Sequence, residues 1–434
     1  MSTATAAKID SGARPSRRRR NVRRLVRGVM LIAAVLLLLS ASNESSPAVV
    51  VPALSPLTAI ASLLTTRTLH AVTWIGLSVA AVALIRRRWF CRWVCPTGTC
   101  ADCAAMLGKR LHRRAARLPR LGQWIALLTL GGAALGYPML LWLDPLALFS
   151  GLFGVFHAEA TPAIAWCATG MAAILAMSLI WPGAWCARIC PLGALHDLLS
   201  RLARRVRFAF ARRSEHSGEK PAGRLSRRIV LGALAGALWA TVARRVRGAA
   251  ARPLRPPGAV DEARFVGLCI RCGNCLRACP THIIRPDQGE RGIAGLMTPV
   301  LDFSHDYCTE GCTRCTHVCP SGALVPLEPE AKQRTSIGLP HVDMNVCLLG
   351  DDRDCSMCRN WCPYGAIKLV WSEEEYTLTP QVDLDKCPGC GACETVCPTT
   401  PQKAIVIRPA PRGRQDREPL PLLHRHAHTG TVHQ

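Results

Sequence analysis

Cysteine spacing dominates the chemistry this sequence can do. Four segments of the carboxyl-terminal half repeat one pattern: Cys269-x2-Cys272-x2-Cys275-x3-Cys279-Pro280, Cys308-x3-Cys312-x2-Cys315-x3-Cys319-Pro320, Cys347 with Cys355, Cys358 and Cys362-Pro363, and Cys387-x2-Cys390-x2-Cys393-x3-Cys397-Pro398. A cubane iron–sulfur cluster offers four irons, each wanting one thiolate. The tight Cys-x2-Cys-x2-Cys loop wraps three corners and leaves its amides free for the sulfides, and the fourth cysteine, held at a turn by proline, ligates the other cluster of a pair. Zinc uses closed sets of four, typically as two separated pairs. A secreted disulfide framework does not repeat at metal-ligand spacing with proline after every fourth cysteine. The loop Leu348–Asp354 stretches the third copy but can return its cysteine to the same iron. A three-iron cluster would need a missing cysteine, and none is missing. Four [4Fe–4S] clusters in two ferredoxin-like pairs are therefore expected on these sixteen cysteines, and the pairing of the motifs stays open.

Two half-motifs of the form Cys-x3-Cys-Pro precede them: Cys91-Arg-Trp-Val-Cys95-Pro96 and Cys186-Ala-Arg-Ile-Cys190-Pro191. Neither alone completes a cluster, but together they present four thiolates, and the surrounding arginines favour the thiolate form and offset a cluster's negative charge. Cys100 and Cys103 allow a different set with Cys91 and Cys95, and all of them can equally be reduced cysteines without metal. Cys167 reads as a small buried residue. His424, His426, His428 and His433 belong to a solvated tail that can scavenge metal.

These motifs need elements to position them, and the charge pattern says which. The chain has 434 residues and a formal charge of +25. Residues 1–243 carry 31 Lys/Arg against 8 Asp/Glu, whereas residues 244–434 carry 23 against 21. The arginines alternate with long uncharged runs, which speaks for membrane orientation and against nucleic-acid binding. An apolar stretch Gly28–Ala41 follows Arg17–Arg27 and reads as an uncleaved first helix, with a signal peptide cut near Ser40–Ser42 as the other reading. Ser45–Thr66, broken by Pro47, Pro52 and Pro56, suits an interfacial or re-entrant segment. Thr68–Ile85, Leu121–Leu143 and Ala160–Trp185 are the clearer spans. Residues 86–120 hold ten Lys/Arg and one acid and residues 183–228 eleven and three, while 42–66 and 143–162 hold no Lys or Arg. The positive-inside rule then puts the amino terminus and both basic loops in the cytoplasm. Ile229–Ala243 follows Ser226-Arg227-Arg228, which reads either as a twin-arginine export signal or as a basic membrane edge.

The fold class expected is an α-helical membrane bundle of 4–5 transmembrane helices (residues 1–243), a linker (244–260), an α+β ferredoxin-like domain with four clusters (261–407) and a disordered tail (408–434). Short β stretches at Ala366–Val370 and Ala404–Ile407 suit that domain. It lies on the periplasmic side of a bacterial inner membrane that the chain crosses several times.

The front half resembles the NapH/MauN family of membrane ferredoxin-type proteins, through its two Cys-x3-Cys-Pro motifs. The back half is similar to the NapG/MauM family, through its Ser-Arg-Arg lead and four cluster motifs. The resemblance implies quinol oxidation at the membrane and electron delivery to a periplasmic redox enzyme or small carrier. In the family the membrane partner often has cytoplasmic ferredoxin motifs after its last helix; here the export-signal-like segment takes that place. Candidates for a quinol site are the ionisable residues near the outer ends of the spans: His70, Asp144, His157 and Glu159. The sequence has no haem signature, dinucleotide fingerprint or P-loop, so it carries electrons, as a quinol dehydrogenase component or a plain carrier, and shows no site for covalent change in a substrate. The other reading is a redox factor for assembly or maturation of a partner metalloenzyme.

Overall fold

The computed structural model describes residues 17–40, 47–111, 119–156, 162–214, 227–247, 253–289, 292, 294–374 and 376–409. The helical half is organised by four X-Pro steps that each start a helix: Ser55 before Pro56–Thr66, Cys95 before Pro96–Arg110, Asp144 before Pro145–Leu152, and Cys190 before Pro191–Ser214. Proline suits the first helical position, where its missing N–H has no partner to lose, and the preceding side chain is free to cap the exposed amides. Two similar units result. Helix Ala71–Ile85 leads to the first half-motif and Pro162–Ile180 to the second. The units are exchanged: Pro96–Arg110 packs on Pro162–Ile180, and Pro191–Ser214 packs on Ala71–Ile85 and Leu121–Ala134.

Helix Arg17–Leu39, with 23 residues, is roughly 34 Å long. Its start lies against the first half-motif, where Arg23 Nε donates to the Arg92 carbonyl at 3.0 Å, and its end reaches the ferredoxin half, where Arg277 donates to the Leu38 carbonyl at 3.2 Å. Helix Arg227–Arg247 packs tightly along Leu121–Ala134. Glycines make this crossing possible, since a Cβ on Gly236 would stand 2.4 Å from the Leu128 carbonyl oxygen and one on Gly131 2.2 Å from that of Ala233. The segment following the twin-arginine-like pair is thus built into the helical half.

The spans come out shorter than their apolar runs. Leu121–Leu143 is helical only to Ala134; Gly136 then turns with φ +82°, Pro138 follows, and Leu141–Leu143 forms a single 3-10 turn. Among the described residues no single helix is long and apolar enough to cross a membrane, although Pro47–Ala53 and Pro56–Thr66 pass that test together with a bend of 89°. Prolines that cap and break helices account for the difference.

In the ferredoxin half, Ile284–Pro286 pairs antiparallel with Pro299–Leu301 between the first two motifs. Leu339–Val342, just before the third motif, pairs with Ile405–Arg408, just after the fourth, and so clasps those two motifs together. Ile367–Ser372 and Thr377–Val382 form a hairpin. Both β stretches expected from sequence are therefore strands. The core contains cysteines among Phe265, Leu268, Phe303, Met344, Ile367 and Ile405. Residues 254–260, placed in a linker by composition, pack into this half: buried Arg255 donates to Glu262, Thr298 and the Pro299 carbonyl, and Ala259 bridges to Leu324. The tail beyond 409 lies outside the described residues.

Candidate functional site

Each ferredoxin motif lends its fourth cysteine to a neighbour. One cavity is lined by Cys269, Cys272, Cys275 and Cys319, a second by Cys308, Cys312, Cys315 and Cys279, and a third by Cys347, Cys355, Cys358 and Cys397. Cys387, Cys390 and Cys393 stand together with Cys362. The first motif thus pairs with the second and the third with the fourth, the exchange that the dicluster pattern requires.

Local backbone explains the geometry. The residue before the second cysteine is left-handed in three copies, Arg271 at φ +58°, Gly311 at +68° and Gly389 at +77°, which curls the loop around its cavity. Three of the fourth cysteines make a thiol–hydroxyl contact with the residue two positions on: Thr281 at 3.5 Å, Ser321 at 3.7 Å and Thr399 at 3.3 Å. The third copy has Tyr364 in that place; its buried hydroxyl has no hydrogen-bond partner among the described residues.

Without metal these pockets suit neutral thiols. Burial, then a neighbouring thiol, pushes Cys269 up to about 11, and burial does the same to Cys387, to about 11, and to Cys390, to about 12. Cys397 differs: burial works to raise it, but hydrogen bonds from the Thr399 side chain and the amides of Thr399, Ile405 and Ala404 hold it below the ordinary thiol value. Buried thiolates in such density need iron as counter-charge, so metal uptake must expel protons. Among the described residues no three His, Cys, Asp or Glu side chains close around a single ion. The cysteines line small cavities whose exposed surface is mostly apolar.

In the helical half, Cys91, Cys95, Cys186 and Cys190 line one cavity of about 170 Å³. Cys100 and Cys103 do not join them, and Cys103 is exposed. The two half-motifs therefore complete one four-cysteine set, and the alternative set within residues 91–103 is not formed. Cys95 Sγ accepts from the Gly98 amide at 3.3 Å and Cys190 Sγ from the Gly193 amide at 3.4 Å. Asp144 Oδ1 accepts from the Leu146 amide at 2.9 Å, and Ser55 Oγ donates to Asp144 Oδ2. Thr97 Oγ1 donates to the Pro145 carbonyl at 2.7 Å, and Pro145 lines the cysteine cavity. Three of these helix amino termini line or border one centre and Ser55 ties in the fourth, so partial positive charge surrounds the thiols.

Helix Pro145–Leu152 connects this set to the ferredoxin half. Its eight residues span roughly 12 Å. At its far end Ser150 Oγ donates to Asn274 Oδ1 at 3.2 Å and accepts from buried Arg277 at 3.0 Å, while a Cβ on Gly151 would lie 3.2 Å from the Arg271 carbonyl. The Arg271 guanidinium sits 4.8 Å over the Trp142 ring. Cys167 lines the same cavity as Cys269, Cys272 and Cys275, a placement its position in an apolar helix does not reveal. Beyond the first pair, the Cys308 amide donates to the Cys390 carbonyl at 2.9 Å and joins the two pairs directly.

Of the proposed quinol-site residues, Asp144, expected near the outer end of a span, is instead fully buried beside Ser55 at the border of the cysteine set that the basic loops carry, because helix Pro145–Leu152 starts there. His70 is half-buried at the start of Ala71–Ile85, with Nε2 3.0 Å from Thr68 Oγ1. His157 and Glu159 lie outside the described residues. His196 was not expected at all: it is buried, with Nδ1 2.9 Å from the Leu192 carbonyl and 3.8 Å from Cys91 Sγ, and it stacks on Phe90. Its i, i+4 relation to Leu192, close behind Cys190-Pro191, was the only signal available.

Comparison with known proteins follows this division. Residues 268–323 and 353–400 match a family model described as a 4Fe–4S dicluster domain, and residues 69–114 and 163–208 match one described as a 4Fe–4S binding domain. The methylamine utilization ferredoxin-type protein MauM of Methylobacillus flagellatus is 33% identical over 207 residues, covering 45% of this chain and 87% of that protein. The ferredoxin-type protein NapG of Escherichia coli is 36% identical over 166 residues, covering 36% and 70%, and NapF of the same organism is 30% identical over 152 residues, covering 35% and 84%. No solved structure matches the chain.

Proposed function

Because this chain belongs to the family of the ferredoxin-type proteins MauM and NapG, iron–sulfur proteins of electron transfer, we propose that it is membrane-anchored, draws electrons from a quinol at its helical half, and delivers them through its ferredoxin half to a soluble redox partner. The observation that carries this reading is the file of five cysteine sets, running from Cys91/Cys95/Cys186/Cys190 along helix Pro145–Leu152 to Cys269/Cys272/Cys275/Cys319 and on through both ferredoxin pairs. Each set would hold one [4Fe–4S] cluster: the sixteen ferredoxin cysteines would take four, and Cys91, Cys95, Cys186 and Cys190 a fifth. When bound, such clusters take up and release single electrons at potentials set by charge, hydrogen bonds and exposure.

The protein's own groups do the rest. Helix amino termini and Arg23, Arg88 and Arg92 surround the helical set with positive charge. Ser150, Asn274 and Arg277 lock the two halves together. Oxidation of a quinol releases protons as well as electrons, and Asp144, paired with Ser55 beside the helical set, is the carboxylate placed to take one. At the far end, the hairpin Ile367–Val382 exposes Trp371 and Tyr376 beside exposed Met357 and Trp361, next to the Cys347/Cys355/Cys358/Cys397 set. There a soluble partner has access.

Membrane anchoring is supported by the outward faces of the helices. Ile32 and Leu36, Trp74 and Ile85, and Leu234, Leu238 and Trp239 are all exposed, an apolar surface that water does not suit. Helix Arg17–Leu39 runs from the arginine-rich face to the ferredoxin half, which fits a cytoplasmic amino terminus and a periplasmic ferredoxin half. The front half then plays the part of a NapH/MauN-like membrane component fused to its electron acceptor.

The test is anaerobic addition of a menaquinol analogue to purified, cluster-loaded protein in detergent, with cluster reduction followed by EPR. Reduction of the centres that dithionite also reduces supports the reading, and Asp144→Asn should then slow it at least about tenfold. If dithionite reduces the centres and quinol does not, quinol oxidation is refuted for this chain and a maturation relay takes its place.

A further inference from the structure

Beside the helical cysteine set, and sharing Arg88 and Cys190 with its cavity, lies a second cleft of about 240 Å³. Five guanidiniums line it, Arg87, Arg88, Arg120, Arg188 and Arg201, against the single carboxylate of Asp197. Asp197 is fully engaged: Arg87 Nε reaches Oδ1 at 2.8 Å, and Arg88 reaches Oδ1 with Nε at 2.9 Å and Oδ2 with a terminal nitrogen at 2.8 Å. Among the described residues Arg120, Arg188 and Arg201 have no carboxylate partner, and with its carbonyl oxygen turned inward the Gln123 amide accepts from Arg201 at 3.2 Å. The guanidiniums come from both repeated units and from the start of helix Leu121–Ala134, so their mutual repulsion works directly against the packing of the two units. Among the described residues the lining thus has five cations against one anion.

We propose that this cleft binds a phosphate-bearing anion, and that its natural source is the headgroup of an anionic phospholipid. The planar, forked donors of arginine match carboxylate and phosphate alike, but a phosphate has more acceptor oxygens and can engage several guanidiniums at once, which a carboxylate or halide does less fully. The polar, strongly basic lining excludes a quinone ring. The cleft opens at the arginine-rich face, where basic pockets between membrane helices meet lipid headgroups. The lipid source rests on the membrane reading given above; the anion chemistry does not. An anion there would tie Arg87 and Arg88 of the first unit to Arg188 and Arg201 of the second, right behind Cys190, which also lines the cleft.

The full-length protein is reconstituted in nanodiscs of phosphatidylcholine, titrated with phosphatidylglycerol, and its retained lipid read by native mass spectrometry; inorganic phosphate is titrated separately by equilibrium dialysis. The wild type should retain phosphatidylglycerol over phosphatidylcholine, and Arg120→Gln with Arg201→Gln should weaken that retention at least about tenfold, or about 1.4 kcal/mol. Gln123→Glu supplies an isosteric internal carboxylate without removing an arginine. It should displace the anion as completely and should raise the melting temperature in pure phosphatidylcholine, a gain that a misfolded variant cannot give. Phosphate binding without lipid preference assigns the site to the free anion and keeps the chemistry. Equal retention of both lipids by wild type and variants, with no phosphate bound, overturns the proposal. Failure of the protein to enter the discs refutes the membrane reading and the lipid source, and the phosphate arm alone then decides the anion chemistry.

Discussion

Arg277 is the residue on which docking of the two halves depends, and replacing it by methionine isolates that role. Its side chain is 5% exposed. It donates to the Leu38 carbonyl at 3.2 Å and to Ser150 Oγ at 3.0 Å across the junction, and to Asn274 within its own half. A hydrogen bond from a charged donor is worth about 1.5–3 kcal/mol, so the two junction bonds total roughly 3–6 kcal/mol. Methionine keeps much of the apolar stem but leaves both acceptors in place. Part of the loss is returned, because burial of the guanidinium is itself costly and pushes its pKa down. The net weakening should be about 2–4 kcal/mol, equivalent to roughly a 30- to 900-fold larger undocked population. Hydrogen exchange on the loaded, full-length protein reads this directly, because local opening has its own free energy. Amides of Pro145–Leu152 and of Leu268–Ala278 should lose protection by that factor, while the hairpin strand Ile367–Ser372 keeps its own. Protection of Pro145–Leu152 unchanged within about threefold, or lost equally in the hairpin, would refute the assignment of Arg277 to docking.

The motif pairing predicts a pattern of non-additivity. Cys269→Ser, Cys319→Ser and the two together should each lose the same cluster, about four irons by colorimetric assay, whereas Cys279→Ser with Cys319→Ser should lose about twice as much. Gly236→Val forces its Cβ against the Leu128 carbonyl at 2.4 Å, and should destabilise the packing of Arg227–Arg247 on Leu121–Ala134 by about 2–3 kcal/mol, seen as a lower melting temperature in detergent, with Gly236→Ala affected less. For Asp197, burial works to raise the pKa, but hydrogen bonds from Arg87 and then Arg88 outweigh it and hold it below 3.8. Its stabilising contribution is therefore full above about pH 4 and lost as pH falls through the depressed value. Chemical denaturation at about pH 5 and pH 2.5 should show this loss in the wild type and a smaller one in Asp197→Asn.

How much of this was legible in the sequence depends on the range of the interaction. The ferredoxin half was the more legible one, because each cysteine motif is local and its spacing alone points to iron–sulfur chemistry. Which motif exchanges its fourth cysteine with which needed the fold, since Cys279 and Cys319 are separated from their partners by strands whose pairing no local pattern specifies. The helical half was legible as apolar runs and arginine clusters, yet the element that matters there, helix Pro145–Leu152, is eight residues inside a run that composition treats as featureless. Its importance comes from Asp144-Pro145 lying beside Ser55-Pro56, Cys95-Pro96 and Cys190-Pro191, four X-Pro steps up to about 130 residues apart in the chain. The residues His196, Cys167 and Ser55 were missed for the same reason, because each acquires its role from a neighbour distant in sequence.

That repeated X-Pro step also suggests why the helical set is made of two half-motifs. In the ferredoxin half a single loop contributes three ligands and its cavity is enclosed by short strands and the core around Phe265 and Met344. In the helical half each unit gives two cysteines to the shared cavity, and the second of each is also the cap of the helix that crosses to the other unit. Ligand placement and helix exchange are therefore one feature: Cys95 and Cys190 cannot be in position unless Pro96–Arg110 and Pro191–Ser214 have crossed. A cluster held there would bridge both units at the point where four helix starts gather, and helix Pro145–Leu152 leaves that same point for Arg271 and Asn274. The continuity of the cysteine sets from one half to the other is thus a consequence of how the helical repeats interlock.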